Sequence, residues 1–363
     1  MLSTRRKDPP LITTPVVLVA FNRPHLARRT LAAIREAAPQ QLFLVADGPR
    51  PDRPDDADLC AATREVLDAV DWPCEVHRKY SEVNLGVEAN VELGLDWVFT
   101  HVDEAVVFED DCTPDPTFFP YAAELLDRYR DDDRVWQVSG NRLGVPQRFF
   151  HGDSYVFTSW ASVWGWATWA DRWQRHRAQF PRDHVRGPGH AGDDPVRTTP
   201  AAPLPGVLVT RGGQRHFAEA ARSSDVVTHG WDKHWWLTVM SAGGLCVTPS
   251  ANLVENRGFG PDATHTVSAG GSDDPAEPMA FPLRHPHDVA LDVAVERELE
   301  LRLNRVGGPA AKLARKVIRS PRLRRAARAA VNSAPATSAA RLAARLTRRS
   351  AARASARTGP DRD

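Results

Sequence analysis

The sequence predicts an α/β protein built on a mostly parallel, doubly wound sheet. Three observations carry this. Short continuous apolar runs at 15–21, 41–46 and 105–108 read as strands buried on both faces. Segments of helical period follow them. A polar cluster closes each run: Asn22-Arg23, Asp47-Gly48 and Glu109-Asp110-Asp111. Strands alternating with helices favour parallel pairing. In such sheets ligands bind beyond the carboxyl ends of the strands, so three clusters distant in sequence would share one edge.

In order, PVVLVAF (15–21) is the first strand, and HLARRTLAAIREAAP follows with Leu26, Leu31, Ile34 and Ala38 at helical spacing. QLFLVADG (41–48) is the second strand. A Pro/Asp-rich loop leads to a helix near 57–70, and CEVHRKY (74–80) reads as a third strand. NLGVEANVELGLDWVFTHV has the period of an amphipathic helix. AVVFEDDC is the fourth strand, and a helix starts near Pro116. Asp115 suits the start of that helix, because acids favour the first turn and proline the first helical position. RVWQVSG (134–140) and SYVFTSW (154–160) read as strands, and WGWATWADRWQRH (164–176) as a tryptophan-dense helix or turn. Residues 181–213 form a Pro/Gly-rich loop. GWDKHWWLTVMSAGG (230–244) is helical by pattern, and 245–266 is a strand followed by a glycine-punctuated loop.

Charge is uneven along the 363 residues. Of 47 Lys/Arg and 46 Asp/Glu, 15 and 2 fall between Ala310 and Asp363, so this stretch carries +13 and the remainder −12. An acidic body with a basic tail is not the footprint of a nucleic-acid-binding domain, in which positive charge spreads across the folded face. The tail reads as a disordered extension or as a peripheral contact with anionic lipid. Cys60, Cys74, Cys112 and Cys246 are too dispersed for a zinc site or a disulfide framework, which suits a reduced, cytoplasmic setting. The N-terminal stretch has charge but no apolar leader core. The expected localisation is cytoplasmic, at the inner face of the membrane if the tail rests on lipid.

The acid triplet carries the chemistry. Adjacent carboxylates repel one another, and burying them is costly unless something compensates. A divalent cation offsets the repulsion, and Mg2+ or Mn2+ bound by one or two carboxylates completes its shell with water and substrate phosphates. On an extended strand Glu109 and Asp111 share a face and Asp110 opposes them.

VVFEDDCTPDPTFFPYA resembles the metal-site segment of the N-acetylglucosaminyltransferase I family, nucleotide-sugar-dependent enzymes of the GT-A fold. VVLVAFNRP resembles that family's first strand and uridine-binding turn, and LFLVADG its second strand. RVWQVSGNRLG, WGWATWADRW and GWDKHWW match later segments in the same order. The chain also resembles bacterial family 2 glycosyltransferases described as haemolysin-like, through WGWATW, WD and NRGFGPDATHT. The likeness spans roughly 15–290.

The resemblance implies a GT-A fold, a UDP-sugar donor, a glycan or glycolipid acceptor and Mn2+ or Mg2+. It implies Asp111 as metal ligand, Glu109 and Asp110 on sugar or ribose hydroxyls, Arg23 and Asp47 near the base with Asn22 in the same turn, and Asp232 as general base. The eukaryotic enzymes carry two adjacent acids after the tryptophan and use the second. Here that position is Lys233, so Asp232 is the acid available. On this reading 1–14 is an extension, 15–140 the nucleotide-sugar half, 141–300 the acceptor half and 301–363 the basic tail.

Other residues carry two readings. Asn84 is a helix N-cap or a contact to the sugar diphosphate. Trp164, Trp166 and Trp169 read as core, whereas Trp231 lies beside Asp232 and is assigned to the acceptor groove. Arg257, on a glycine-bearing loop, would reach the diphosphate, and His265 the metal. Two other classes fit in part: a nucleotidyltransferase, which would want a glycine-rich phosphate loop where AFNRPHLARR has no glycine, and a non-catalytic sugar-binding protein.

Overall fold

The structure, a computed structural model, describes residues 12–180, 208–222, 230–258 and 275–307. The strands are β1 (Val16–Ala20), β2 (Gln41–Ala46), β3 (Glu75–Tyr80), β4 (Glu104–Glu109), β5 (Cys112–Pro114), β6 (Val135–Ser139), β7 (Tyr155–Thr158), β8 (Trp166–Trp169), β9 (Leu245–Pro249) and β10 (Val254–Asn256). The helices are α1 (Pro24–Ala37), α2 (Asp56–Asp68), α3 (Val87–Val98), α4 (Phe118–Tyr129), α5 (Ala170–Gln179), α6 (Arg211–Arg222), α7 (Trp231–Ser241) and α8 (Val293–Gly307). The chain divides into two compact units, 1–299 and 300–363. The described part of the second is the end of α8.

Eight strands form one sheet in the order β3-β2-β1-β4-β8-β6-β9-β7, and β5 and β10 form a separate antiparallel pair. β1 is parallel to β2 and β4, and β2 to β3. The α/β class and the parallel half are as expected. The other half is mixed, because β8 lies antiparallel between β4 and β6.

The apolar runs work as a period-two pattern buried on both sides. Val16, Leu18, Leu42, Leu44, Val106 and Phe108 share one core with Leu31, Ile34 and Leu67 of α1 and α2 and with α4. Val17, Val19, Phe43, Val45, Ala105 and Val107 point the other way, into a core with α3, Trp166, Trp173, Trp231 and Trp235. Each Val, Leu, Ile or Phe side chain among them contributes roughly 1.5–3 kcal/mol when fully buried.

Three readings need correction. Residues 166–169 of the tryptophan-dense segment are strand, and the helix begins at Ala170. Pairing of this stretch with β4 and β6 outweighs its helical pattern. The loop after β9 contains the short strand β10, and α6 opens inside the segment read as loop. Residues 181–207 of that loop, and the tail beyond 307, lie outside the described residues. Among the described residues no helix is long and apolar enough to cross a membrane.

Candidate active site

The chain runs outward from β1 through β2 to β3, then α3 returns it to β4 on the other side of β1. This reversal makes the β1–β4 crevice the topological switch point, where open α/β sheets bind ligands. Register aligns the strand ends: Ala20 lies opposite Ala46, and Val19 opposite Glu109. Asn22, Arg23, Asp47 and the acid triplet therefore meet at one edge, as the sequence predicts.

β4 ends at Glu109, and Asp110-Asp111 form a turn rather than continuing the strand, so the expected one-face alternation does not hold. Asp110 turns inward and is buried. Arg23 binds it through two guanidinium nitrogens, and Arg23 Nη2 is also 3.0 Å from Asp111 Oδ2. Thr30 Oγ1 donates to the Asp110 carbonyl at 2.8 Å, fixing the turn against α1. The structure thus gives Asp110 and Arg23 to each other, where the resemblance implied sugar hydroxyls and a base.

One guanidinium faces three carboxylates. Burial works against the Arg23 charge, but Asp110 and Asp111 more than offset it and hold its pKa above the usual value. Burial pushes the Asp110 carboxyl up to about 6 despite Arg23. Glu109 is raised well above the usual range, first by burial, then by Asp111 and Asp110, with Asp232 adding to the effect. Asp232 stands in the first turn of α7 with its side chain exposed, close enough for its charge to bear on Glu109.

A divalent cation suits these residues. Hard carboxylate oxygens favour Mg2+ or Mn2+, and the Glu109 carboxylate accepts no hydrogen bond among the described residues. Asp111 lies under the β10 loop: Arg257 N–H donates to the Asp111 carbonyl at 2.8 Å. Val254 anchors this loop against Gly165, where a Cβ would come within 2.5 Å of it and where φ is +66°. At Gly258 an added Cβ would sit 2.1 Å from Asp111 Oδ2. Gly258→Ala should therefore displace the carboxylate. Overpacking of about 1–3 kcal/mol corresponds to roughly 5–150-fold weaker divalent-cation binding, read by calorimetry.

The remaining residues divide. Asp47 Oδ1 accepts from the N–H groups of Gly48 (2.8 Å) and Leu85 (2.7 Å), and Oδ2 from Asn84 Nδ2 (2.9 Å) and the Gly86 N–H (3.0 Å). These four bonds occupy the carboxylate and lock the turn before α3. Its carboxyl is nevertheless raised, because burial outweighs them. Asn84 is not an N-cap: its amide also donates to the Gly48 carbonyl at 2.9 Å, and Gly86 occupies the cap position. Asn22 donates to Asp56 at 2.7 Å, and Arg50 pairs with the same carboxylate at 2.5 Å, holding Asp56 down at about 2.

Trp231 is buried and stacked on Trp166, with ring centroids 6.0 Å apart, so it belongs to the core rather than to an open groove. Trp160, only partly buried, stacks on Trp236 at 5.1 Å. Arg257 has an exposed side chain paired with Glu255 at 2.5 Å. His265 lies outside the described residues. Asp115 accepts from the Thr117 N–H at 2.9 Å just before α4, the local role expected of it. Sequence reasoning missed Asp56, Arg50 and Gly258. Asp56 reads as one of many acids in a loop, and the need for glycine at 258 arises only from tertiary contact.

No protein-family model matches the chain, and no curated protein sequence does. Solved structures do match. One is the mannosyltransferase PcManGT from Pyrobaculum calidifontis in complex with GDP-Man and Mn2+ (16% identity, TM-score 0.33, 65% of this chain and 74% of that one). Another is mouse xyloside xylosyltransferase 1, apo form (8% identity, TM-score 0.34, 65% and 84%). A third is HddC from Yersinia pseudotuberculosis (10% identity, TM-score 0.24, 40% and 60%). These overlaps are partial, and the fold assignment rests on the strand order and the two helix layers.

Proposed function

We propose that the chain transfers a sugar from a nucleoside-diphosphate sugar, UDP-linked, to a hydroxyl of a glycan or glycolipid acceptor, with inversion. The observation that carries this reading is the acid triplet at the β1–β4 switch point, with Asp232 in the first turn of α7 near enough for its charge to act on Glu109. The ordered resemblance to GT-A enzymes supports it. Asp111, with Glu109 beside it, would hold Mn2+ or Mg2+, which supplies positive charge to the departing diphosphate. Asp232 takes the proton from the acceptor hydroxyl. The oxygen attacks the anomeric carbon from the face opposite the diphosphate, and the configuration inverts. Asn22, Arg50 and Asp56 flank the donor edge, while Arg23, Asp47 and Asn84 keep its turns in place.

A nucleotide sugar incubated with the protein should be hydrolysed slowly in Mn2+ and not in EDTA. Free sugar and nucleoside diphosphate released together support transfer. Release of nucleoside monophosphate and sugar phosphate would indicate phosphoanhydride chemistry instead, and no turnover in Mn2+ with any donor would favour a binding protein.

A further inference from the structure

A second group of ligating side chains lies where α3, α5 and α7 meet. Glu88 and Glu92 are one helical turn apart on α3 and share a face, and His234 projects from α7. One atom from each, Glu88 Oε1, Glu92 Oε1 and His234 Nδ1, falls within a 4.8 Å group. Glu92 and His234 are almost wholly buried, and Glu88 is largely so.

We propose that Glu88, Glu92 and His234 form a divalent transition-metal site, best suited to Zn2+. His234 Nδ1 is 3.3 Å from Glu88 Oε1 and 3.5 Å from Glu92 Oε1. Both separations exceed the ~2.7–3.2 Å of a good hydrogen bond. They match the roughly 3.3–3.6 Å edge of a tetrahedron whose metal–ligand bonds are about 2.0–2.2 Å. One imidazole nitrogen and two carboxylate oxygens make a mixed donor set that zinc accepts, with the fourth position left for water.

The outer contacts have the arrangement a metal site needs. Arg177 Nη1 holds Glu92 Oε2 at 2.5 Å, and the Gly230 N–H reaches Glu88 Oε2 at 3.4 Å. Each carboxylate is thus oriented through one oxygen while the other is turned towards His234. The Phe180 ring stacks on the His234 imidazole, with centroids 4.5 Å apart and planes 15° apart, and fixes its orientation. The single Arg177 charge is shared with Asp96, 3.2 Å away. A metal here ties the first turn of α7 to α3. His234 is two residues from Asp232, so the site would fix the position of that acid.

The test is calorimetric titration of the EDTA-stripped full chain with Zn2+, on wild type, His234→Asn, Glu88→Gln and Asp111→Asn. The proposal expects one strong site, at least 100-fold weaker in His234→Asn and Glu88→Gln and unchanged in Asp111→Asn. Arg177→Gln should weaken it about 10–100-fold, as loss of outer-shell partners does. Absence of a strong site in wild type overturns the proposal, as does a site that survives both ligand substitutions or disappears with Asp111→Asn. If His234→Asn does not fold, Glu88→Gln decides, since that position is partly exposed. The readout needs no turnover and is separate from the glycosyltransferase reading.

Discussion

Asp232→Asn should slow sugar transfer by ~10²–10⁴-fold while leaving nucleotide affinity essentially unchanged, the range typical of a lost general base. The side chain stands exposed at the start of α7, within electrostatic reach of Glu109. It makes no hydrogen bond or ion pair among the described residues that the substitution would break. Its contribution to the helix dipole is worth only about 0.3–1 kcal/mol, so the variant should fold normally. Steady-state rates with donor titrations separate turnover from binding. Full activity in this variant would remove Asp232 from the mechanism, and the neighbouring Lys233 offers no second carboxylate to replace it.

Arg23→Met should destabilise the protein by about 3–5 kcal/mol, the usual result of removing one partner of a buried ion pair. Asp110 would remain buried beside Glu109 and Asp111 with no guanidinium. Two additions test the cause. Mn2+ should recover part of the loss, since binding at a hundredfold excess over Kd contributes about 2.7 kcal/mol. Acid should recover part as well. The folded-state pKa of Asp110 lies above its unfolded value, at about 6, so the folded state holds this proton more tightly and its penalty is absent at low pH. Chemical denaturation at pH 5 and pH 7.5 should show a smaller deficit at the lower pH. A deficit below about 1 kcal/mol at both would mean that the triplet is compensated elsewhere.

The parallel half of the fold was legible because β1, β2 and β4 are buried on both faces and read as unbroken apolar runs. Their polar ends could be assigned to one edge from topology alone. β8 was not legible: WATW resembles a helix entry in isolation, and only pairing with β4 and β6 makes it a strand. At the site, residue identities were readable and partners were not. Asp110, Arg23 and Asp47 announce themselves as polar residues at strand ends, yet the structure commits them to one another and to the 84–86 turn. Trp231 beside Asp232 suggests a sugar platform, but successive residues of a helix point about 100° apart, which leaves Asp232 exposed and puts Trp231 into the core. Glu88, Glu92 and His234 carried no sequence signal, because 142 positions separate the histidine from Glu92.

The most direct measurement is a thermal-shift panel of UDP-, GDP- and dTDP-sugars, with and without Mn2+, on wild type and Asp111→Asn. Stabilisation follows RT ln(1 + [L]/Kd), so the true donor stands out from the others. The carboxylate site predicts that one nucleotide class stabilises the wild type only when Mn2+ is present, and that Asp111→Asn loses this shift. An equal, Mn2+-dependent shift in both proteins would contradict it, as would a panel in which no nucleotide sugar stabilises the wild type.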